Sequence, residues 1–453
     1  MENRKFFKPS ADQVGLVRHV KGAPRNVLNL PCRIDLESEI DEKTVVDAMC
    51  IAMKRLPYCR LRLHEVGRDE FVQYYYDGEP EHMDIVDMSD KTEEEVDRYI
   101  LKQAGMIFEN NCNDSQLYNF KLIRKAGGKY TIFYCGSHLI MDTFGLMYAI
   151  TYFDKVYSAV KNGTELPPEG MGPEQYIEKS WEYVNGPKFQ KDLIWWSEQF
   201  ETEPHFASMN PKPSDEYVEG KNYGRAQTFE QMRSESLTLR VPKELVEKVN
   251  ETALKTNVSP MIFYALALRT WMANNSGSDD VTFGTTGARR STNIFRNCGM
   301  TTAHLITWRS IIDGGMSFGD ALLKMNVIQR DVFRHIGSDL SDYSAPVFKK
   351  YGCPPNGIYR SAVFTYQPYF NIENVDLKFT ARHVNVGFTP YPLYLNLMPQ
   401  DASGDLWANY IYAVGYLRPE NLKRFHDFML KFIDKGIDTP DISVNELKAE
   451  SLQ

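Results

Sequence analysis

The sequence predicts an α/β protein of two halves, each a sandwich of helices against a mixed sheet. Strand-like alternation and helical spacing are interspersed along the whole chain, without the regular strand–helix–strand spacing of an all-parallel sheet. The chain has 453 residues, which is long for one ordinary domain. Its clearest cluster of turn residues is 162–173, so we place a linker from there to about residue 187. The predicted division is 1–175 and 176–453.

The N-terminal half begins with a polar lead-in of about 25 residues. Asp41 is placed to cap a helix that Pro57 ends, and a hairpin is predicted to turn at Gly127 and Gly128. A further helix starts near Thr143. The predicted strands are 26–36, 59–63, 70–76, 117–124 and 129–139, and the other predicted helix is 92–107.

The C-terminal half alternates between the two patterns after a predicted surface loop at 203–224. Ser259 and Pro260 form a helix start signal, and the helix they begin is apolar nearly all round, so we predict that it is buried. The other predicted helices are 188–200, 243–256, 317–335 and 419–434, followed by a polar tail. The predicted strands are 236–241, 280–284, 302–310, 358–366, 391–398 and 405–416.

Composition excludes several functional classes. The net charge is −8 with scattered basic residues, which argues against a nucleic-acid partner. Seven cysteines form no CxxC pair, which is typical of reduced thiols in a cytosolic protein, and no metal site is predicted. The first residues lack the apolar core of a secretory signal, and no apolar run is long enough for a membrane span. We therefore predict a cytoplasmic protein.

The most informative residue is His138, which follows a buried strand and precedes a helix. An imidazole at such a junction is well placed for proton transfer. Strand alternation puts Gly136 on the same face as His138, which would leave space beside the imidazole, and turns Cys135 and Ser137 away. A nucleophile pair between either of them and His138 is therefore disfavoured. The other HxxxD spacing, His335 with Asp339, follows an amphipathic helix and is interpreted as a solvated helix end.

The segment 137–143, SHLIMDT, resembles the HHxxxDG motif of the condensation-domain superfamily, which includes chloramphenicol acetyltransferase and the HxxxD acyltransferases. Other segments resemble motifs of this family in the same order and cover nearly the whole chain. They are LPYCRLR at 56–62, KDLIWWSEQF at 191–200, FGTTGARR at 283–290, FRNCGM at 295–300 and VFTYQ at 363–367.

The resemblance implies a chloramphenicol-acetyltransferase-like fold, two α/β sandwich lobes arranged as a V. It implies that His138 is a general base and that no covalent acyl-enzyme forms. Asp142 would support the motif through an arginine. Counting from Gly284 gives Arg290 as this partner, whereas counting back from Gly299 gives Arg289, and the choice stays open.

The motif departs from the family pattern at two positions. Ser137 replaces the first histidine, and Thr143 replaces the glycine whose backbone N–H is expected to support the oxyanion. The Thr143 side chain is expected to crowd the channel, and Gly145 is a candidate for restoring flexibility there. Ser137, Thr365 and Gln367 are the other predicted channel residues.

These features predict an acyltransferase that moves an acyl group from a thioester to an alcohol or amine on a small molecule. The cosubstrate would be acyl-CoA or a phosphopantetheine thioester, with no bound cofactor. The chain has no GGxS carrier motif, so an acyl or peptidyl carrier protein would be a separate partner. One alternative is amide-forming condensation with an external peptidyl carrier protein. Another is a non-catalytic member that binds a carrier or acyl ligand, since Thr143 replaces the motif glycine.

Overall fold

The computed structural model describes residues 4–19, 25–67, 70–81, 84–106, 108, 114–210, 233–290, 298–337, 349–351, 361–367, 377–401 and 403–453. The chain forms two compact units. The first comprises residues 1–187, 288–303 and 371–387, and the second comprises 188–287, 304–370 and 388–453. Each unit is discontinuous in sequence, which differs from the two contiguous halves predicted to meet at residue 175.

The first unit contains a five-stranded mixed sheet. Its strands, in spatial order, are Phe379–His383, Asn29–Leu36, Tyr130–Ser137, Tyr118–Lys125 and Asp84–Met88. Three neighbouring pairs are antiparallel and the last pair is parallel. Leu61–Gly67 and Glu70–Tyr75 form a separate hairpin. The helices are Ala11–His19, Glu42–Arg55, Glu93–Ala104, Thr143–Asn162 and Glu174–Val184, with 3-10 turns at Arg25–Leu28, Pro57–Arg60 and Ala126–Gly128.

The strand Tyr130–Ser137 lies in the middle of this sheet and is buried on both faces. Ile132 and Tyr134 pack in the larger core cluster, together with residues of the helices Glu42–Arg55 and Thr143–Asn162. Phe133 and Cys135 pack on the opposite face, in the cluster that contains Val96 and Ile100. Helices on both faces therefore fix the strand, and its end is a rigid place for a side chain.

The second unit contains a six-stranded mixed sheet. Its strands, in spatial order, are Ser234–Val241, Leu406–Ala413, Leu393–Met398, Ala362–Tyr366, Asp280–Ala288 and Ala303–Ile311. Its helices are Pro187–Gln199, Lys243–Thr256, Pro260–Ser276, Phe318–Arg334, Pro419–Asp438 and Val444–Ser451. The helix Pro260–Ser276 is buried at every position from Met261 to Met272, as its all-round apolar pattern predicts.

The helix start signals and the hairpin turn that the sequence predicts are also found in the structure. The side chain of Asp41 accepts a hydrogen bond from the N–H of Thr44 at the start of Glu42–Arg55. Ser259 occupies the N-cap and Pro260 the first helical position, although the Ser259 side chain makes no cap hydrogen bond. Gly127 and Gly128 adopt positive φ at the hairpin turn, a conformation that glycine adopts at little cost.

Among the α-helices and strands of the described residues, five were not predicted. Three are helices: Ala11–His19 within the polar lead-in, Glu174–Val184 within the predicted linker and Val444–Ser451 within the polar tail. The other two are the sheet-edge strands Asp84–Met88 and Phe379–His383. The helices Ala11–His19 and Val444–Ser451 and both edge strands have at most nine residues each, and so few positions give a weak pattern. The helix Glu174–Val184 is amphipathic, but it lies inside the stretch whose turn residues predict a linker. Most of the loop predicted at 203–224 lies outside the described residues.

Candidate active site

His138 lies directly after the strand Tyr130–Ser137 and five residues before the helix Thr143–Asn162. Its backbone N–H donates to the carbonyl oxygen of Leu28 at 2.6 Å. A turn follows at once, because the N–H groups of Ile140 and Met141 both donate to the carbonyl of Ser137. The strand–helix junction predicted from the sequence is therefore present, and hydrogen bonds fix it on both sides of His138.

The imidazole of His138 is partly exposed and faces Thr301. Nδ1 lies 3.2 Å from Thr301 Oγ1, and the Thr301 hydroxyl donates to the backbone carbonyl of His138. Burial lowers the pKa of His138, and the nearby charge of Asp142 opposes this effect. A lowered pKa favours the neutral imidazole, which is the form that accepts a proton.

Asp142 is a buried N-cap whose two carboxylate oxygens are both occupied. Oδ1 accepts from the N–H of Gly145 at 3.0 Å and from Arg290 Nη2 at 2.7 Å. Oδ2 accepts from the N–H and the hydroxyl of Thr302 at 3.0 and 3.1 Å. The carboxylate therefore joins the start of the helix to the segment 298–302.

Of the two candidate arginines, Arg290 is the one that contacts Asp142. Its guanidinium also donates to the carbonyls of Cys298 at 2.6 Å and Met300 at 3.0 Å. Arg289 instead pairs with Asp12 and lies 5.0 Å from the ring centre of Tyr183. Both members of the Asp142–Arg290 pair are at least nine-tenths buried in their side chains, which makes the loss of either one costly.

Gly145 is a packing position. A Cβ built on it would lie 1.9 Å from the carbonyl oxygen of Gly299. Its own carbonyl accepts from the hydroxyl of Tyr58 at 2.7 Å. The absent side chain therefore permits close approach of two backbones, and flexibility is not needed to explain a glycine here.

Thr143 begins the helix and is partly exposed. A first-turn N–H has no partner within its own helix, and the oxyanion role of the Thr143 N–H stays a prediction from the motif. The next residue, Phe144, is half exposed and stacks with the Arg290 guanidinium 5.1 Å from its ring centre.

The space predicted beside Gly136 is filled. A Cβ on Gly136 would lie 2.3 Å from Met141 Sδ, so the missing side chain accommodates Met141 within the core. Ser137 is fully buried, and its Oγ accepts from the N–H of Leu139 at 3.3 Å. Ser137 therefore stabilises the turn through the contacts that its side chain makes.

The two predicted channel residues of the C-terminal half lie in the second unit. The hydroxyl of Thr365 donates to Asn396 Oδ1 at 3.0 Å. The backbone N–H of Gln367 donates to the carbonyl of Leu397, while its side-chain Oε1 is buried and has no hydrogen-bond partner among the described residues. A buried acceptor without a donor costs free energy that a bound donor could recover.

Sequence reasoning missed Thr301 and Thr302, the residues that contact His138 and Asp142. Both are fully buried and come directly after the motif-like segment 295–300. A polar pair at the entrance to the apolar strand Ala303–Ile311 is the available signal, since buried hydroxyls need partners. Nothing in the local pattern indicates which partners these are.

His335 lies at the end of the helix Phe318–Arg334 and differs from the prediction of a solvated end. Its Nδ1 lies 2.7 Å from Asp192 Oδ1, and its ring stacks on Trp195 with 4.2 Å between the ring centres. Asp339 lies outside the described residues. The environment of His335 is a packed junction between two helices.

The condensation-domain profile matches residues 22–451. A curated relative is a plipastatin synthase component of Bacillus subtilis (strain 168), 21% identical over 439 residues, with 93% of this chain and 16% of the relative covered. The chain spans about a sixth or less of the length of the curated relatives it matches.

Solved structures match over nearly the full chain. The first condensation domain of the calcium-dependent antibiotic synthetase, in complex with a substrate analogue, has a TM-score of 0.82 at 14% identity, covering 98% of this chain and 99% of that one. A variant of the starter condensation domain of rhizomide synthetase, in complex with C8-CoA, has a TM-score of 0.79 at 16% identity, with 97% of each covered.

The chain belongs to the condensation-domain family. The predicted α/β class and the resemblance to this superfamily are therefore confirmed. Family membership supports a transferase of acyl or peptidyl groups. Among the described residues, no helix combines the length and the apolar character that a bilayer crossing requires.

Proposed function

We propose that this chain transfers an acyl group from a thioester to an amine or alcohol acceptor, with His138 as general base. The observation that carries the proposal is the environment of His138: a fixed strand end, a hydroxyl at Nδ1 and a pKa lowered by burial. These features favour a neutral imidazole whose other nitrogen, Nε2, can accept a proton.

The proposed reaction has two steps. The acceptor N–H or O–H gives its proton to Nε2 as the nitrogen or oxygen attacks the thioester carbonyl. The resulting tetrahedral oxyanion then collapses, the C–S bond breaks, and the thiolate takes the proton from Nε2. The N–H of Thr143, at the positive end of a helix, is the proposed donor to the oxyanion.

The proposed donor is an acyl-CoA or an acyl chain on a carrier-protein phosphopantetheine. The similarity to a starter condensation domain solved with C8-CoA supports the first source. Membership of the condensation-domain family supports the second source, together with an amine acceptor and amide formation. Gln367, whose buried Oε1 has no partner in the part of the chain that the structure describes, is a candidate to accept a hydrogen bond from the amide of a pantetheine or aminoacyl group.

A non-catalytic role is the remaining alternative, and Thr143 is the residue that favours it. The threonine keeps the backbone N–H but adds a β-branched side chain at the first helical position. If this side chain blocks the donor thioester, Thr143→Gly should release activity that the unaltered protein lacks. If binding alone is the function, neither protein should turn over any thioester.

The test is incubation with a panel of acyl-CoAs and acyl-carrier thioesters, together with amine and alcohol acceptors. Thiol release and the acylated product are followed by mass spectrometry. We expect acceptor-dependent release by the unaltered protein and a fall of about 10²- to 10⁴-fold for His138→Ala, the range typical of general-base catalysis.

The matched control is His335→Gln, which changes the other histidine of an HxxxD spacing and keeps a donor toward Asp192. This variant should retain the activity of the unaltered protein. Undiminished transfer by His138→Ala would contradict the proposed mechanism.

A further inference from the structure

We infer that Thr301 is a positioning residue that selects the proton-accepting form of His138. The inference rests on the proposed function, because the selection matters only if His138 removes a proton. A neutral imidazole has two tautomers, and only the one protonated at Nδ1 has a free lone pair at Nε2. Hydrogen positions follow from the hydrogen-bond network around the ring.

The network around Thr301 leaves one consistent assignment. A hydroxyl has a single proton, and that of Thr301 is directed at the carbonyl oxygen of His138. Toward Nδ1, at 3.2 Å, Thr301 Oγ1 therefore presents a lone pair. The imidazole must supply the proton of this hydrogen bond, so Nδ1 carries the hydrogen.

A second contact supports the same tautomer. The backbone carbonyl of His138 raises the pKa of its own imidazole, which opposes the effect of burial, and this is the carbonyl to which Thr301 donates. Thr301 therefore holds both the ring and the acceptor beside it. Asp142, whose charge acts on His138, is paired with Arg290, and the group that lies at Nδ1 is the Thr301 hydroxyl.

Packing alone does not require this hydroxyl. Thr301 is fully buried, and valine has nearly the same shape, so a purely structural residue could be either one. The neighbouring hydroxyl of Thr302 contacts Asp142. Two successive threonines therefore hold the two ends of the HxxxD segment, and Thr301 holds the end that is proposed to react.

Three variants test the inference: Thr301→Val, which removes the hydroxyl, Thr301→Ser, which keeps it, and Thr282→Val as a control. Thr282 is a buried threonine of the second unit, and none of the described residues forms a hydrogen bond with its hydroxyl. Each protein is labelled with ¹⁵N-histidine, and the His138 signals are identified by their absence in His138→Ala. The ring-nitrogen shifts report which nitrogen carries the proton, independently of any activity.

We expect His138 to be protonated at Nδ1 in the unaltered protein and in the serine and control variants. In Thr301→Val the two tautomers should become mixed. If the parent protein transfers acyl groups, kcat/KM of Thr301→Val should fall about tenfold, as for the loss of one buried hydrogen bond. Its acid limb should move to lower pH, since the lost acceptor also stabilised the imidazolium.

Two outcomes would overturn the inference. One is that Thr301→Val keeps the Nδ1 tautomer and the parent pH profile. The other is that Thr301→Ser loses them. A parent protein without transfer activity would instead contradict the proposed function. In that case the nitrogen shifts still decide whether Thr301 sets the tautomer.

Discussion

The chain contains two histidines with an aspartate four residues later, and their surroundings differ. His138 lies at the end of a central strand and contacts a hydroxyl, while the carboxylate of Asp142 is paired with Arg290. His335 lies at the end of a helix and contacts the buried carboxylate of Asp192. The same spacing therefore yields two unrelated environments.

The difference shows that the partner of the imidazole matters more than the spacing. The contact of His335 with the carboxylate of Asp192 joins two helices. The hydroxyl beside His138 orients the imidazole without adding a charge, which suits a base. In the candidate site the carboxylate of Asp142 is paired with Arg290 and not with His138. This pairing distinguishes the candidate site from the surroundings of His335.

The largest expected effect is on the free energy of unfolding when the carboxylate of Asp142 is removed, and removal of the Asp192 carboxylate provides the comparison. Asp142→Ala leaves the Arg290 guanidinium buried without its charge partner, and it should lower the free energy of unfolding by about 3–5 kcal/mol. Asp192→Ala leaves Lys188, whose side chain is 62% exposed, and His335, which can meet water, so about 1–2 kcal/mol is expected. Urea denaturation followed by circular dichroism measures both.

Asp142→Asn separates the two roles of Asp142, because asparagine is an equally good N-cap but carries no charge. It should therefore lose less stability than Asp142→Ala. Equal losses of stability in Asp142→Ala and Asp192→Ala would show that the Asp142–Arg290 pair contributes no more to stability than the contacts of Asp192.

How much the sequence predicts follows from the same comparison. The strand before His138 was predictable from its run of β-branched and aromatic residues, and the helix after Asp142 from the helical spacing of its apolar residues. The contacts of Thr301 and Thr302 were not, because they join segments about 160 residues apart. The choice between Arg289 and Arg290 also needed the fold. The side chains of these adjacent residues point in different directions, and the sequence does not show which of them contacts Asp142.

The glycines of the two helices provide a second, intermediate test. Gly145 lies in the first turn of the helix Thr143–Asn162, and Gly319 in the first turn of Phe318–Arg334. A Cβ at Gly145 would overlap the Gly299 backbone, whereas one at Gly319 would make ordinary contact at 3.4 Å. We expect Gly145→Ala to cost at least about 1–3 kcal/mol.

Gly319→Ala should be neutral or stabilise by up to about 1 kcal/mol, since alanine favours helix. Thermal unfolding of both variants provides the measurement. A stable Gly145→Ala protein would mean that the segment around Gly299 can move away from the helix. The packing role given to Gly145 would then be wrong.

The smallest expected effect is in the pH dependence. Burial lowers the pKa of His138 below its ordinary value of 6.5, so the midpoint of the acid limb of kcat/KM should lie below pH 6.5. Below its pKa, kcat/KM should drop about tenfold per pH unit.

The lowered pKa of His138 also affects the free energy of unfolding. Because the folded protein binds fewer protons than the unfolded chain, the contribution of His138 is complete above pH 6.5. It is lost as the pH falls from 6.5 to the lowered pKa. His383 acts in the same direction, since burial lowers its pKa to about 4.

Profiles of kcat/KM and of the urea midpoint between pH 4 and 8 test both statements. His335→Gln should leave the kcat/KM profile unchanged, because its ring has no part in the proposed reaction. An acid limb above pH 6.5 would mean that His138 is stabilised as the imidazolium. The hydroxyl partner of His138 would then not account for its role as a base, and the conclusion drawn from the comparison with His335 would be wrong.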